Sequence, residues 1–350
     1  MVKNRYMILL IQRLVTGKLV EYIKLVRLPG WGAYCIPAVF GALTTGEWSI
    51  SQIAALFFMG MFATIFGFVL NDYADVDIDR MTPELSARPL VKGTIPRRHA
   101  LYLSIGAAVM HYIVVFIAMY IGLFLPSIIA IIVLSVAALF TVIYNLYGKR
   151  FVGSDCFVAG ATALYCLFGA LVVSNNLSGL TWVVVIVTFV QVLYLNAIIG
   201  GVKDADHDYK LGGKTVALWM GVRAEKQLYI PSGFKVLALT LRSTSAFFLF
   251  LPFFILKDFK YELWQPVLML LMFLGVYTAT IKMLQLKEFN RQNLRKLISI
   301  QAFLRYSVVP VMLLKEIGYP MGLFLIIFPF TWFAVFNRLL YGKAVQPDTL

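Results

Sequence analysis

Ten apolar stretches, each near 20 residues long, occupy most of this 350-residue sequence. They fall at about 29–46, 53–71, 101–122, 126–146, 157–174, 181–201, 235–256, 264–284, 298–314 and 319–337. A helix of about 20 residues rises about 30 Å, the thickness of the hydrocarbon core of a bilayer. In lipid every backbone N–H and C=O must find its partner inside the chain, so such stretches have to be helical. Hydrophobic residues make up 61% and charged residues 14%, against about half and a quarter in a soluble domain. A soluble domain, a disordered chain and a disulfide scaffold are therefore excluded. The expected fold is all-α, a polytopic membrane helical bundle.

The formal charge of +14 invites a nucleic-acid reading. Its distribution rejects one. Counted on alternate sides of the spans, 25 of the 31 Lys and Arg residues lie on one side and three, Lys257, Lys260 and Lys315, on the other. By the positive-inside rule the basic side is cytoplasmic, with both termini inside. The excess then reflects topology and attraction to anionic lipid or substrate, with no nucleic acid as partner. Residues 1–28 carry spread basic residues among apolar ones and no small-residue cleavage site, so they read as an amphipathic segment on the membrane surface. The expected organisation is that segment, a single transmembrane domain over 29–340 and a tail over 341–350. Cys35, Cys156 and Cys166 have no paired spacing and read as buried small hydrophobes.

Outside loops are short, whereas two inside loops, 72–100 and 202–234, are long and hold most of the acidic residues. Long loops in a compact protein are usually functional. Four spans separate these two, an even number, so both emerge on the same face. The first begins Asn71-Asp72-Tyr73-Ala74-Asp75-Val76-Asp77-Ile78-Asp79-Arg80. In a helix continuing past the second span, Asn71, Asp72, Asp75 and Asp79 share a face. The second reads Lys203-Asp204-Ala205-Asp206-His207-Asp208, with Asp204 and Asp208 one turn apart. Asp77 and Asp206 fall off these faces. Stacked like charges destabilise a helix unless something neutralises them. A hard divalent cation does so, and Mg²⁺ is bound through one or two carboxylates, waters and substrate phosphates. Two such clusters ringed by Arg and Lys describe a site for a Mg²⁺–diphosphate complex. A calcium loop is excluded: counted from Asp75, Arg80 stands where glycine is required and Ser86 where the bidentate Glu is required. Zinc is disfavoured, since His99, His111 and His207 have no ligand spacing.

The order Asn-Asp-x-x-Asp-x-x-x-Asp after the second span and Asp-x-x-x-Asp after the sixth resembles the UbiA superfamily of intramembrane prenyltransferases. Arg27-Leu28-Pro29, Arg88-Pro89-Leu90 with Gly93, Tyr144 with Lys149-Arg150, and Gly212 to Thr215 add to the resemblance, which covers roughly residues 20–340. It implies a bundle of nine transmembrane helices, or ten if 298–314, interrupted by Arg305, is a full span. These would surround a central cavity capped by the two cytoplasmic Asp-rich loops. By the same resemblance the protein is a Mg²⁺-dependent prenyltransferase, with Mn²⁺ as a substitute. Asp72, Asp75, Asp79, Asp204 and Asp208 would be catalytic and, with Asn71, would hold the metal. Arg27, Asn71, Arg80, Arg88, Tyr144, Lys149, Lys203 and Lys214 would bind substrate. The implied partners are a polyprenyl diphosphate donor, a hydrophobic or amphiphilic acceptor and membrane lipids.

An aromatic quinone precursor and a glycerophosphate ether lipid fit equally as acceptor, with diphosphate released in either case. The competing class is a non-enzymatic transporter or lipid-binding bundle. Transporter charges gather near the bilayer midplane, whereas these Asp residues lie at span ends. The expected location is the cell (inner) membrane, with the active site on the cytoplasmic side. Cysteines introduced at Glu84 and Tyr209 should accordingly react with an impermeant thiol reagent from the cytoplasmic side, and one at Asn176 from outside. Labelling of the first two from opposite sides would break the shared-site reading.

Overall fold

A computed structural model describes residues 17–81, 85–342 and 344. Most of the expected amphipathic segment over 1–28, most of the tail over 341–350, and Glu84 lie outside the described residues.

Helix α1, Lys18–Leu25, leads into the first apolar span. That span is not one helix. Proline at the start of a helical turn sets φ and removes a donor. Pro29 and Pro37 accordingly divide the span into a turn at Leu28–Gly30, α2 (Trp31–Tyr34) and α3 (Pro37–Leu43). Next come α4 (Ile50–Asp79), α5 (Arg97–Tyr120), α6 (Ile128–Tyr147), α7 (Asp155–Leu171) and α8 (Gly179–Leu193). Their starts are chemically marked. Ser49 accepts the Gln52 N–H while the Gln52 side chain accepts the Ser49 N–H, a capping box, and Ser127 and Ser178 cap α6 and α8. A π-helical stretch, Tyr194–Gly200, continues α8 into α9 (Gly201–Lys203).

Short elements follow: α10 (Ala205–Lys210), α11 (Val216–Trp219), and strands β1 (Arg223–Ala224) and β2 (Leu228–Tyr229). The strands pair antiparallel, Arg223 with Tyr229 and Ala224 with Leu228. The chain then forms α12 (Ser232–Phe250), α13 (Pro252–Ile255), α14 (Trp264–Leu284), α15 (Arg291–Ile317) and α16 (Tyr319–Tyr341). Among the described residues, eight helices are long and apolar enough to cross a membrane, and Leu28–Leu43 and Asp155–Leu171 are shorter apolar segments. This is an integral membrane helical bundle.

Two of the expected loops are more structured than their polarity suggested. α4 runs two turns past its apolar span, so the first Asp cluster is helical. The second long loop contains two short helices and the β-hairpin, the latter held to the bundle by a bridge between Gln227 and Glu288. The stretch 298–314 lies inside α15, one of the eight long helices. Arg305 does not interrupt it, because its side chain is buried and donates to the Gln191 carbonyl at 3.4 Å.

Backbones approach most closely where α3 crosses α7. A Cβ on Gly41 would lie 1.8 Å from the Cys166 carbonyl oxygen, and one on Gly169 would lie 1.9 Å from that of Ala38. Small residues are the usual means of bringing membrane helices together. This contact fixes the broken first span against the cavity wall. Gly41→Ala and Gly169→Ala should each destabilise the protein by about 2 kcal/mol or more through overpacking. Gly106→Ala, with nothing within 4 Å of its added carbon, should leave the thermal midpoint in detergent unchanged or raised. Equal midpoints for all three variants would contradict the close crossing.

Candidate active site

Because a helix turns about 100° per residue, Asn71, Asp75 and Ile78 form the centre of one face at the end of α4. All three line a cavity, with Asp79 at its margin. Asp72 falls about 100° away from Asn71 and is absent from the lining. It is buried instead, taking Arg27 Nη2 at 2.6 Å and Arg88 Nη1 at 3.4 Å on one carboxylate oxygen. Arg88 also reaches Asp79 Oδ2 at 2.6 Å, bridging two turns of the helix. The like-charge stack is thus partly neutralised by arginines from two other segments. Arg27 adopts a left-handed backbone, φ 52°, alone among the described non-glycine residues. Such strain persists only where surroundings impose it, and the Asp72 pair and the Pro29 turn do so here. Asp75 accepts the Asn71 amide at 3.2 Å.

The second cluster is positioned by interrupted helix. The π-helical stretch, a geometry frequent at functional sites, ends at α9, and Asp204 then leaves helical geometry at φ −106°, ψ 6°. One turn survives, since the Asp208 N–H donates to the Asp204 carbonyl at 2.9 Å. Asp208 is buried and meets Lys149 Nζ at 3.0 Å. The Lys149 carbonyl accepts the Lys214 N–H at 2.9 Å, tying the segment after α6 to the glycine turn at 212–213. Burial pulls the Lys149 ammonium down, but the Asp208 and Asp75 carboxylates outweigh it and hold the group above the ordinary lysine value. Burial pushes the Asp208 carboxyl up, against the opposing pull of Lys149. Lys203 stands 3.7 Å from Asp204, and the Tyr144 hydroxyl donates to Asn196 Oδ1 at 3.3 Å.

The two clusters meet. Asn71, Asp75, Tyr144, Lys149, Lys203, Asp204 and Asp208 line a cavity of about 570 Å³, together with Arg27, Asp79 and Arg88. The same cavity continues between α4, α5, α6 and α7, past Ala63, Ala108 and Leu134, to His111 and Tyr165. A second cavity of about 740 Å³ shares the first seven of these residues and Arg27 and adds Lys214. Asp72 and Arg80, expected as ligands, lie outside both linings. Arg80 pairs with the exposed Asp77 at 3.2 Å because it points away from the face that carries Asn71. Asp77 also takes Arg97 at 3.0 Å, and Asp206 takes Arg291 at 2.8 Å. Among the described residues no three His, Cys, Asp or Glu side chains stand together as a ready-made metal cage.

Arg305, Arg295, Tyr306 and Asn196 line both cavities and were not singled out by spacing. Arg305 could have been found, because an ionisable residue inside an apolar span is a functional candidate by default.

The sequence profile of the UbiA prenyltransferase family matches residues 34–283. The chain belongs to the UbiA prenyltransferase family. α15 and α16, including Arg295 and Arg305, lie beyond the matched range. A digeranylgeranylglyceryl phosphate synthase from Pyrococcus abyssi is 30% identical over 191 residues, 54% of this chain and 64% of that protein. A 4-hydroxybenzoate octaprenyltransferase from Francisella tularensis is 27% identical over 157 residues, 44% of this chain. The chain spans about half the length, 51%, of that relative. Two solved UbiA-fold structures superpose over most of the chain. A digeranylgeranylglyceryl phosphate synthase aligns with TM-score 0.63 and 22% identity over 86% of this chain and 99% of its own. A UbiA homolog from Archaeoglobus fulgidus bound to DMAPP and Mg²⁺ aligns with TM-score 0.59 and 18% identity over 84% and 99%.

The pairing pattern separates the carboxylates by stability. Asp72→Asn takes the carboxylate from Arg27 in a buried setting, while Arg88 keeps Asp79, and should cost about 3 kcal/mol. Asp75→Asn relieves like-charge stacking and should be neutral or stabilising. Asp77→Asn, on the exposed surface, should stay within about 0.5 kcal/mol. Thermal midpoints of the three purified variants check the order, and an Asp72→Asn protein as stable as wild type would contradict the frame.

Proposed function

We propose that this protein transfers an isoprenyl group from a polyprenyl diphosphate to an amphiphilic acceptor with an anionic head, releasing diphosphate. The observation that carries this reading is the continuity of one cavity from a charged mouth to an apolar interior. A diphosphate with a long hydrocarbon tail has that division of chemistry. A transporter fits less well, since the carboxylates stand at helix ends.

Mg²⁺ suits the donors at the mouth. Asn71 and Asp75 from one side and Asp204 and Asp208 from the other offer hard oxygen ligands in pairs, which matches an ion completed by substrate phosphates. Mn²⁺ is the expected substitute. When bound, the ion supplies neutralisation of the charge that develops on the departing diphosphate. Asp72 and Asp79 act here through the arginines they hold.

The remaining chemistry belongs to the chain's cations. Lys149 and Lys203 meet the diphosphate oxygens in place of their present carboxylate partners, and Arg88, still held by Asp79, offers its remaining N–H groups to them. Those contacts strengthen as the allylic carbon–oxygen bond breaks and the bonding electrons leave with diphosphate. The acceptor oxygen or ring carbon then bonds to the allylic carbon and gives its proton to a cavity carboxylate. Tyr144, fixed by Asn196, presents an aromatic group beside the charged mouth, where a developing allylic cation is favoured.

The second cavity brings Arg27, Lys149, Arg150, Lys203, Lys214, Arg295 and Arg305 against Asp75, Asp155, Asp204 and Asp208. This cationic excess supports an anionic acceptor head. A glycerophosphate ether lipid is favoured, and a carboxylate-bearing aromatic quinone precursor is the second reading. With the basic side facing the cytoplasm, the reaction faces the cytoplasm at the cell (inner) membrane.

Purified protein should transfer labelled isoprenyl groups to one of these acceptors with Mg²⁺ or Mn²⁺ and lose activity in excess chelator. Lys149→Gln should lower turnover by about 10²-fold, the usual scale for removing one charge-stabilising contact. Full turnover in chelator, or an unaffected Lys149→Gln enzyme, would refute the site.

A further inference from the structure

The inner end of the first cavity is not wholly apolar. His111 on α5 and Tyr165 on α7 both line it, 4% and 8% exposed, with ring centroids 5.6 Å apart. His111 Nε2 and the Tyr165 hydroxyl are buried without any hydrogen-bond partner. The His111 ring meets the Met59 backbone on α4, and in the tautomer that carries its proton on Nδ1 the Nε2 atom is a bare acceptor. Tyr165 is held by stacking on Phe168, rings 10° apart. Other polar side chains nearby are satisfied: Thr64 donates to the Gly60 carbonyl, Thr162 to that of Val158 and Thr188 to that of Val184.

An orphaned acceptor beside an orphaned donor is unusual in a buried site, because each costs about as much as a lost hydrogen bond. One chemical group satisfies both. A single O–H donates to His111 Nε2 and accepts from the Tyr165 hydroxyl, which neither a methyl nor a methylene can do. The depth of this pair can be read along α4. Met59, which His111 touches, precedes Asp75 by 16 residues, so the pair lies about 24 Å from the carboxylates along the helix. That is the end of the cavity opposite the diphosphate.

We propose that His111 and Tyr165 form a one-oxygen polar subsite at the end of the cavity remote from the carboxylates, which limits how far a hydrocarbon tail can enter. The inference rests on the prenyl-transfer reading given above. The subsite takes a water molecule when the tail stops short of it. A longer tail displaces that water and leaves two buried polar atoms unpaired. A tail whose terminal carbon bears a hydroxyl takes the place of the water and is accepted. These two residues therefore determine donor specificity and take no part in bond breaking.

The test compares geranyl, farnesyl and geranylgeranyl diphosphates as donors for the purified enzyme, together with farnesyl diphosphate hydroxylated at its terminal carbon. Tyr165→Phe removes one oxygen and keeps the stacked ring, and His111→Phe keeps an aromatic ring while removing Nε2. The ratio of kcat/KM for the longest donor to that for the shortest should rise about tenfold in each variant, the scale expected from one relieved unsatisfied group. Should His111→Phe fail to fold, Tyr165→Phe alone decides. A preference for the hydroxylated donor over its parent, present in wild type and lost in Tyr165→Phe, would identify the ligand's own hydroxyl as the oxygen bound. An increased ratio without that preference would identify water. Unchanged ratios with no hydroxyl preference overturn the subsite while leaving prenyl transfer intact. Absence of transfer from every donor overturns both.

Discussion

Several carboxylates must share one end of one helix, and the rest of the bundle is arranged around that electrostatic cost. Asp72, Asp75 and Asp79 lie within two turns of α4, close enough to repel. The protein answers in two ways. Asp72, outside the cavity lining, is tied to Arg27 at 2.6 Å, and Asp79, at the cavity wall, is tied to Arg88 at 2.6 Å, so these two carboxylates are neutralised by fixed partners. Asp75 is left facing the cavity, with Asn71 as its hydrogen-bond partner. Negative charge is thereby concentrated where a cation and an anionic substrate can use it.

The departures from regular helix serve this arrangement. Pro29 breaks the first span just after Arg27, so the guanidinium is presented from a strained turn at a fixed place. The π-helical stretch after α8 and the break at Asp204 turn the second cluster toward the first. Close contact of α3 with α7 at Gly41 and Gly169 holds the broken span against the cavity wall. The consequence is a charged cluster whose members are tied to one another by ion pairs from several segments. On the proposed reading, lysines that already lie among carboxylates pass to phosphate oxygens at little reorganisation cost.

Much of this was legible in the sequence because the signals are periodic or compositional. Apolar length marked the long helices, and spacing brought Asn71, Asp75, Asp204 and Asp208 to one place. Asp72 and Arg80 lie outside the cavity linings for a related reason. A face drawn from i, i+3 and i+4 spacing is wide, and residues at its margin turn aside once real partners compete for them. Arg27 and Arg88 claim Asp72, and Asp77 claims Arg80. The π-helical stretch and the β-hairpin carry no period that a short window resolves. Arg295 and Arg305 reach the site only because α15 packs across the cavity, which is a tertiary fact. The polar pair at the end remote from the carboxylates was equally hidden, since a histidine and a tyrosine on separate apolar helices look like ordinary core.

The central claim is that the two Asp clusters act as one divalent-ion-dependent diphosphate site. Titration of an inert farnesyl thiodiphosphate into purified protein tests it most directly, since it needs neither acceptor nor turnover. Wild type should bind with Mg²⁺ and not without it, Arg80→Gln should match wild type, and the double variant Asp75→Asn, Asp204→Asn should show no Mg²⁺-dependent binding. Wild-type affinity in that double variant would contradict the shared site.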